Sequence, residues 1–181
     1  MADKKLNDGL GYGQIELNQC AFRRDGRIEA QCKIAGADYV ENGMILAIDN
    51  TKHEVRYPAA GDYMFGLNYT SEHMYDERLV GGLKYYKTDK DSFLPRLGYL
   101  AVGDKFTTNT VVYDGDADIT TMVYGYVKAE TEDKYKGYIR LSATDPTNDG
   151  AIAGAPLLRV IDAKATMPNG APAVKFQCIK A

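Results

Sequence analysis

Three aspartates at alternating positions, Asp114, Asp116 and Asp118 in DGDAD, make the most suggestive acidic motif of the chain. Calcium takes several hard oxygen ligands, and alternating aspartates in a tight loop can converge on one ion. The sixth position of that loop is Ile119 rather than glycine, and no glutamate closes it at the far end, so it is not an EF-hand. A solvated hairpin tip is the leading reading and cation binding the second. A pair of thiols comes next, because Cys20 and Cys32 bracket CAFRRDGRIEAQC. A loop made of Asp25, Gly26 and Arg27 pairs Phe22 with Ala30 and Cys20 with Cys32. That register gathers Cys20, Phe22, Ile28, Ala30, Cys32 and Ile34 on one face, as the period of two requires. Two reduced core thiols on a hairpin are expected there. A disulfide is the second reading and a zinc site the third, for want of two more ligands at sensible spacing.

Nucleophilic chemistry finds little material. The histidines are His53 and His73, and the serines Ser71, Ser92 and Ser142, none of them in a G-x-S-x-G elbow. Ser71 and His73 are near neighbours, but on a helix they point to different faces. His53, in an alternating strand, reads as a surface or rim residue. Glycines at 9, 11 and 13 imitate a phosphate loop, yet no apolar strand precedes them and no helical pattern follows. Carboxylates are plentiful enough for a glycosidase pair, but without tryptophan a sugar platform would have to use tyrosine. No residue is assigned a catalytic, cofactor-binding or metal-ligating role, and no cofactor is expected.

The elements that would position such groups are strands. Eighteen glycines and 14 tyrosines suit strands and tight turns better than long helices. Residues 1–18 read as an extended N-terminal arm, and 19–181 as one β domain. Within it, MILAI is a buried strand between turns at Glu41-Asn42-Gly43 and Asp49-Asn50-Thr51-Lys52. KFTTNTVVY and ITTMVYGYV flank the DGDAD turn. GYIRLSA, LLRVIDAKA and AVKFQCI follow, the last two joined by a turn at Met167-Pro168-Asn169-Gly170. In AVKFQCI, Val174, Phe176 and Cys178 share one face, so Cys178 reads as a small core hydrophobe. A Tyr- and Gly-rich insertion, about 57–98, carries Tyr57, Tyr63, Tyr69, Tyr75, Tyr85 and Tyr86. Its TSEHMYDERLVGG supplies one short helix, capped by Thr70 or Ser71. Packing of most of these rings over the core is the leading reading, and an interaction surface the second. The fold class is mainly β: a compact antiparallel β-barrel or sandwich.

Charge narrows the partners. The 22 basic and 25 acidic residues nearly cancel, so nucleic acid and membrane surfaces are not expected as partners. The N-terminal residues lack the apolar run of a secretory signal, and MVYGYV is far too short to span a membrane. A soluble chain made in a reducing cytoplasm is expected.

One long stretch carries a resemblance. YTSEHMYDE (69–77), GLKYY (82–86), LPRLGYLAVGDKFTTNTV (94–111) and the strand pair of DYVENGMILAI resemble structural proteins of tailed bacteriophages. The resemblance covers a third to a half of the chain. It implies a virion component, most like the auxiliary proteins that decorate or staple a capsid: compact β domains with an extended arm and no catalytic residues. The implied partners are the major capsid protein and further copies of this chain. The implied location is the capsid surface of a virion, after synthesis in the cytoplasm of a bacterial host. A tail, neck or adaptor component is the alternative within that class, and a carbohydrate- or ligand-binding β module the alternative outside it.

Overall fold

The computed structural model describes residues 2–8, 12–22, 30–37, 39–70, 86–87 and 94–181. Its strands, numbered along the chain, form two main sheets, one of them a curled half-barrel. The larger sheet has eight strands. In spatial order they are β1 (Asp3–Lys5), β12 (Val111–Asp114), β14 (Ile139–Ser142), β13 (Tyr124–Tyr126), β15 (Leu157–Thr166), β16 (Pro172–Lys180), β11 (Lys105–Thr108) and β2 (Ile15–Gln19). The second sheet runs β3 (Ala30–Gln31), β10 (Arg96–Gly98), β8 (Phe65–Asn68), β6 (Ile45–Asp49), β7 (Glu54–Arg56) and β4 (Lys33–Ile34). A separate pair joins β5 (Tyr39–Val40) to β9 (Tyr86–Lys87). Among the described residues helix is confined to short 3₁₀ turns, and no helix is long and apolar enough to cross a membrane. The protein is mainly β, as its composition implies.

One connection dictates the curl. β11 and β12 stand second from opposite ends of the eight-stranded order, yet only Asn109 and Thr110 separate them in the chain. Three peptide units span roughly 11 Å at most, so the sheet must bend round until its flanks meet. The corner is built from polar side chains that replace the ladder bonds lost at the bend. The Thr108 hydroxyl donates to the Gln14 carbonyl at 2.6 Å and accepts from the Thr110 N–H at 3.1 Å. The Asn109 side chain accepts from the Gln14 N–H at 2.6 Å, and the Thr110 hydroxyl donates to the Asn42 carbonyl at 2.5 Å. All three residues are fully buried, so each of these groups would be costly to leave unpaired.

Two glycines allow neighbouring chain to approach this corner. A Cβ at Gly13 would lie 2.4 Å from the Thr110 hydroxyl, and one at Gly43 2.0 Å from the Thr108 hydroxyl. Gly43 also has φ +87°. The Glu41-Asn42-Gly43 turn read from sequence is therefore real, and its glycine answers both a backbone and a packing demand.

The core forms on both faces of the six-stranded sheet. Ile45 and Ala47 of β6 join Phe106, Ile139, Leu158 and Phe176 of the half-barrel, while Leu46 and Ile48 pack with Val55, Leu97 and Tyr138 on the other face. This explains why MILAI is apolar without alternation: neither face of that strand meets water. The β15–β16 hairpin closes as expected, with the Met167 N–H donating to the Ala171 carbonyl and Gly170 at φ +81°. Val174, Phe176 and Cys178 all face the core.

Several local expectations fail. The described residues among the first 18 do not hang free. β1 pairs with β12 and β2 with β11, so the chain start runs antiparallel along both halves of the corner and covers two sheet edges that would otherwise be open. Cys20 and Cys32 are not cross-strand neighbours, because β2 belongs to one sheet and β3 to the other. The Asp104 carboxylate takes the N–H groups of Ala21 and Phe22, at 2.8 and 3.2 Å, and turns the chain away at Phe22, whose φ is +53°. The Asp25-Gly26-Arg27 loop itself lies outside the described residues, as does the helix expected after Thr70. DGDAD is not a hairpin tip, since β12 lies beside β14 in parallel rather than beside β13.

The corner predicts a difference between two glycines of equal backbone strain. Gly61 has φ +90° with nothing near its Cβ position, whereas Gly43 is crowded. Gly61→Ala is expected to cost about 1–2 kcal/mol from the left-handed backbone alone. Gly43→Ala is expected to cost roughly 1–3 kcal/mol more from overpacking. Urea denaturation of the two variants checks the difference.

Candidate functional site

The residues singled out from sequence do not come together. Cys20 belongs to the cluster between the sheets and Cys32 to the cluster on the far face of the six-stranded sheet. None of the three cysteines forms a disulfide. The Cys20 thiol donates to the Lys105 carbonyl at 3.2 Å, and burial followed by the Asp104 charge pushes its pKa up to about 12. Burial raises Cys32 as well. Thiols held protonated in this way are poor nucleophiles and poor metal ligands.

Two of the three aspartates of DGDAD serve local turns. Asp114 accepts from the Asp116 N–H at 3.1 Å, and Asp118 accepts from the Thr120 N–H at 2.9 Å to cap the 3₁₀ turn Ile119–Thr121. That hydrogen bond holds the Asp118 carboxyl below its ordinary range. Among the described residues no cluster of three or more His, Cys, Asp or Glu side chains could hold a metal ion. His53 is exposed, as expected, but sits in a turn at φ +55° rather than in a strand. Of the tyrosines, Tyr57 is buried with its hydroxyl on the Tyr39 carbonyl at 2.7 Å, and Tyr69 stacks on Phe22 at 5.0 Å. Tyr63 stands 82% exposed. Ser71, His73, Tyr75, Tyr85 and Ser92 lie outside the described residues.

Two other features stand out. The first is a polar seam between the chain start and the body. The Arg140 guanidinium lies 2.6 Å from the Asp3 carboxylate and 2.5 Å from that of Glu130. The Tyr135 hydroxyl donates to the Asp3 carbonyl at 2.6 Å. Further in, the Tyr138 hydroxyl donates to Glu41 at 2.6 Å, while Lys5 and the Asn7 amide each donate to that hydroxyl at 3.2 Å. Lys5 also sits 4.2 Å from the centre of the Tyr138 ring, a cation–π contact.

The charges of the seam are tuned by this setting. The hydrogen bond to Arg140 holds Asp3 below its ordinary range against the pull of burial. Burial raises Glu41, opposed by Tyr138, Lys5, Asn7 and the Gly13 N–H. Burial also lowers Lys5, opposed by the charges of Glu41 and Asp8. Glu41 and Tyr138 are only 3% and 2% exposed, so their polar atoms are committed to each other and to the docked segment. The seam is an anchor for residues 2–8. The side-chain partners that join residues 2–8 to the body are 34 to 137 residues apart in sequence, and no local pattern signals them.

The second feature is a surface groove of about 530 Å³ along β2, lined by Ile15, Glu16, Leu17, Tyr69, Thr70 and the tip of the β15–β16 hairpin. Asn169 of that tip donates to Gln14 at 3.2 Å. Among the described residues β2 is the outermost strand on its side of the sheet. Its residues 16–19 are exposed, Leu17 at 36%. An outer strand beside an open groove suits contact with another chain, through main-chain pairing and side-chain seating.

The fold and the site thus define a mainly β protein whose chain start is docked on its own sheet edges and whose outer strand borders a groove. No protein-family model, no curated protein and no solved structure matches the chain.

Two predictions follow from these geometries. Cys20, Cys32 and Cys178 are expected to resist a thiol reagent in the native protein and to react together once it is unfolded, as absorbance titration would read. Asp3 is depressed in the fold, so its contribution to stability is full above its ordinary value of 3.8 and is lost as pH falls through its lower folded value. Glu41, raised, contributes in the opposite sense: fully below its ordinary value of 4.5, and less as pH rises through its folded value. Asp3→Asn should therefore be less stable than the parent at neutral pH, with the gap closing in acid, when melting temperatures are compared across pH.

Proposed function

We propose that this chain is a non-enzymatic structural protein of a tailed-bacteriophage virion that binds and stabilises the capsid shell as a decoration or stapling subunit. Its partners in this reading are the major capsid protein and neighbouring copies of itself. The observation that carries the proposal is the outer strand β2, exposed over residues 16–19 and bordered by a groove of about 530 Å³. The sequence resemblance over 38–48, 69–77, 82–86 and 94–111 supplies the setting. A strand edge with a groove beside it offers a contact of modest strength. On a symmetric shell such contacts act together, because each bound neighbour raises the effective concentration of the next.

Residues 3–5 and 15–19 are already paired within their own sheet, so this reading uses no free arm. Contact would instead use the outer edge of β2 and the exposed side chains about it, Glu16 and Leu17 first.

The test is quantitative mass spectrometry of purified virions of the phage that encodes the chain, read as copies per major capsid subunit. A simple lattice ratio is the expected result. A few tens of copies would move the chain to the neck or tail. Complete absence from particles would overturn the virion reading and favour the glycan-binding alternative, for which the exposed Tyr63 ring is the starting point.

A further inference from the structure

The seam that holds residues 2–8 has the anatomy of a receptor occupied by its own peptide. On the receptor side are the edge of β12 and the side chains of Glu41, Tyr135, Tyr138 and Arg140. On the ligand side the contacts are specific to sequence. Asp3 meets Arg140, Lys5 and Asn7 meet Tyr138, Lys4 donates to the Gly115 carbonyl at 3.0 Å, and the Leu6 N–H donates to the Val111 carbonyl at 3.0 Å. We propose that this site is an exchangeable strand acceptor, which takes residues 2–8 from a second copy of this chain as well as from its own.

Three observations carry the proposal. First, the paired stretch is only three residues long, Asp3 to Asp114 through Lys5 to Val112, so few ladder bonds break when it leaves. Second, the vacated site would keep the Arg140–Glu130 and Tyr138–Glu41 pairs but lose Asp3 from Arg140 and Lys5 and Asn7 from Tyr138. Refilling by a segment with Asp, Lys and Asn at alternate positions restores those charge-assisted hydrogen bonds. Third, the base of the segment is fixed. Gly13 is packed against Thr110 with no room for a Cβ, and the Gln14 N–H is held by Asn109. Ten residues from Gly13 back to Asp3 reach roughly 33–36 Å when extended. A folded chain of this length has a radius of gyration of about 16 Å, so an adjacent copy lies within that reach.

Contacts made in trans are the same contacts as in cis. Exchange between copies therefore costs mainly the freedom lost on association, which falls where copies are held side by side. The inference concerns two copies of this chain and stands apart from the virion reading, whatever surface they occupy.

The test uses the full chain carrying Lys4→Cys and Tyr113→Cys, positions that face each other in the β1–β12 register. Isotopically heavy and light preparations are mixed under reducing conditions, incubated over a range of concentrations, then oxidised and weighed intact. The expected result is heavy–light disulfide-linked dimers whose share rises with concentration. Intramolecular bonds alone at every concentration would overturn the proposal.

A second measurement removes residues 2–8 and adds a synthetic peptide of sequence ADKKLND. If the shortened chain keeps its circular dichroism spectrum, it should bind the peptide. Asp3→Ala or Lys5→Ala in the peptide should then weaken binding by about tenfold or more, roughly 1.4 kcal/mol. A folded shortened chain that ignores the peptide at millimolar concentration would equally overturn the proposal. If the shortened chain does not fold, the mixed-label result decides alone.

Discussion

Between Thr107 and Thr110 the backbone turns a corner while the strands on either side of it stay in one sheet, and much of the architecture depends on how that corner is satisfied. A bend in a buried strand orphans donors and acceptors where no water can reach them. Here Thr108, Asn109 and Thr110 supply the missing partners from their own side chains, and Gln14 and Asn42 complete the set. Because those two come from the chain start and from the turn before β6, the corner fixes the curl of the large sheet, the entry of the N-terminal segment and the seat of the second sheet at one place. Threonine and asparagine suit it because they carry short side chains that reach their own backbone.

The corner also accounts for the position of the polar seam. With Gln14 pinned beside Asn109, the preceding residues are directed along β12 toward Arg140 and Tyr138. Asp3, Lys5 and Asn7 then complete the hydrogen bonding of Arg140 and of the Tyr138–Glu41 pair. Neither interaction is large against the hydrophobic core. What they confer is selectivity, since an apolar edge would accept many strands and this one accepts a particular order of charge and amide. The outer edge of β2, in contrast, carries Glu16, Leu17, Asn18 and Gln19 toward solvent, a mixed surface suited to contacts of a different kind.

What the sequence made legible was local. The β15–β16 hairpin could be read because its turn residues and both alternating strands are contiguous, and MILAI because a run without alternation means two buried faces. The failures share a cause. Alternation says which residues share a face but not which strand lies alongside, so the CAFRRDGRIEAQC pattern looked like a hairpin although its two ends join different sheets. The same ambiguity hid the docking of the first residues, whose glycines and charges look like a free arm until β11 and β12 are placed beside them. The seam had no local trace, because Glu41, Tyr138 and Arg140 acquire meaning only when the topology brings Asp3, Lys5 and Asn7 to them.

The order of the large sheet also sets an order of events at synthesis. β2 pairs with β11, and β11 needs β16 on its other side, so residues near position 17 wait for partners near 106 and 176. At roughly 5–20 residues per second, the first of those delays lasts on the order of ten seconds. Throughout it the opening strands have no sheet to join. A topology of such distant pairings folds slowly for its size. The charged and amide-rich composition of residues 2–8 and 16–19 keeps those waiting segments hydrated, which makes solubility of the nascent chain a second property written into the same residues that later close the sheet.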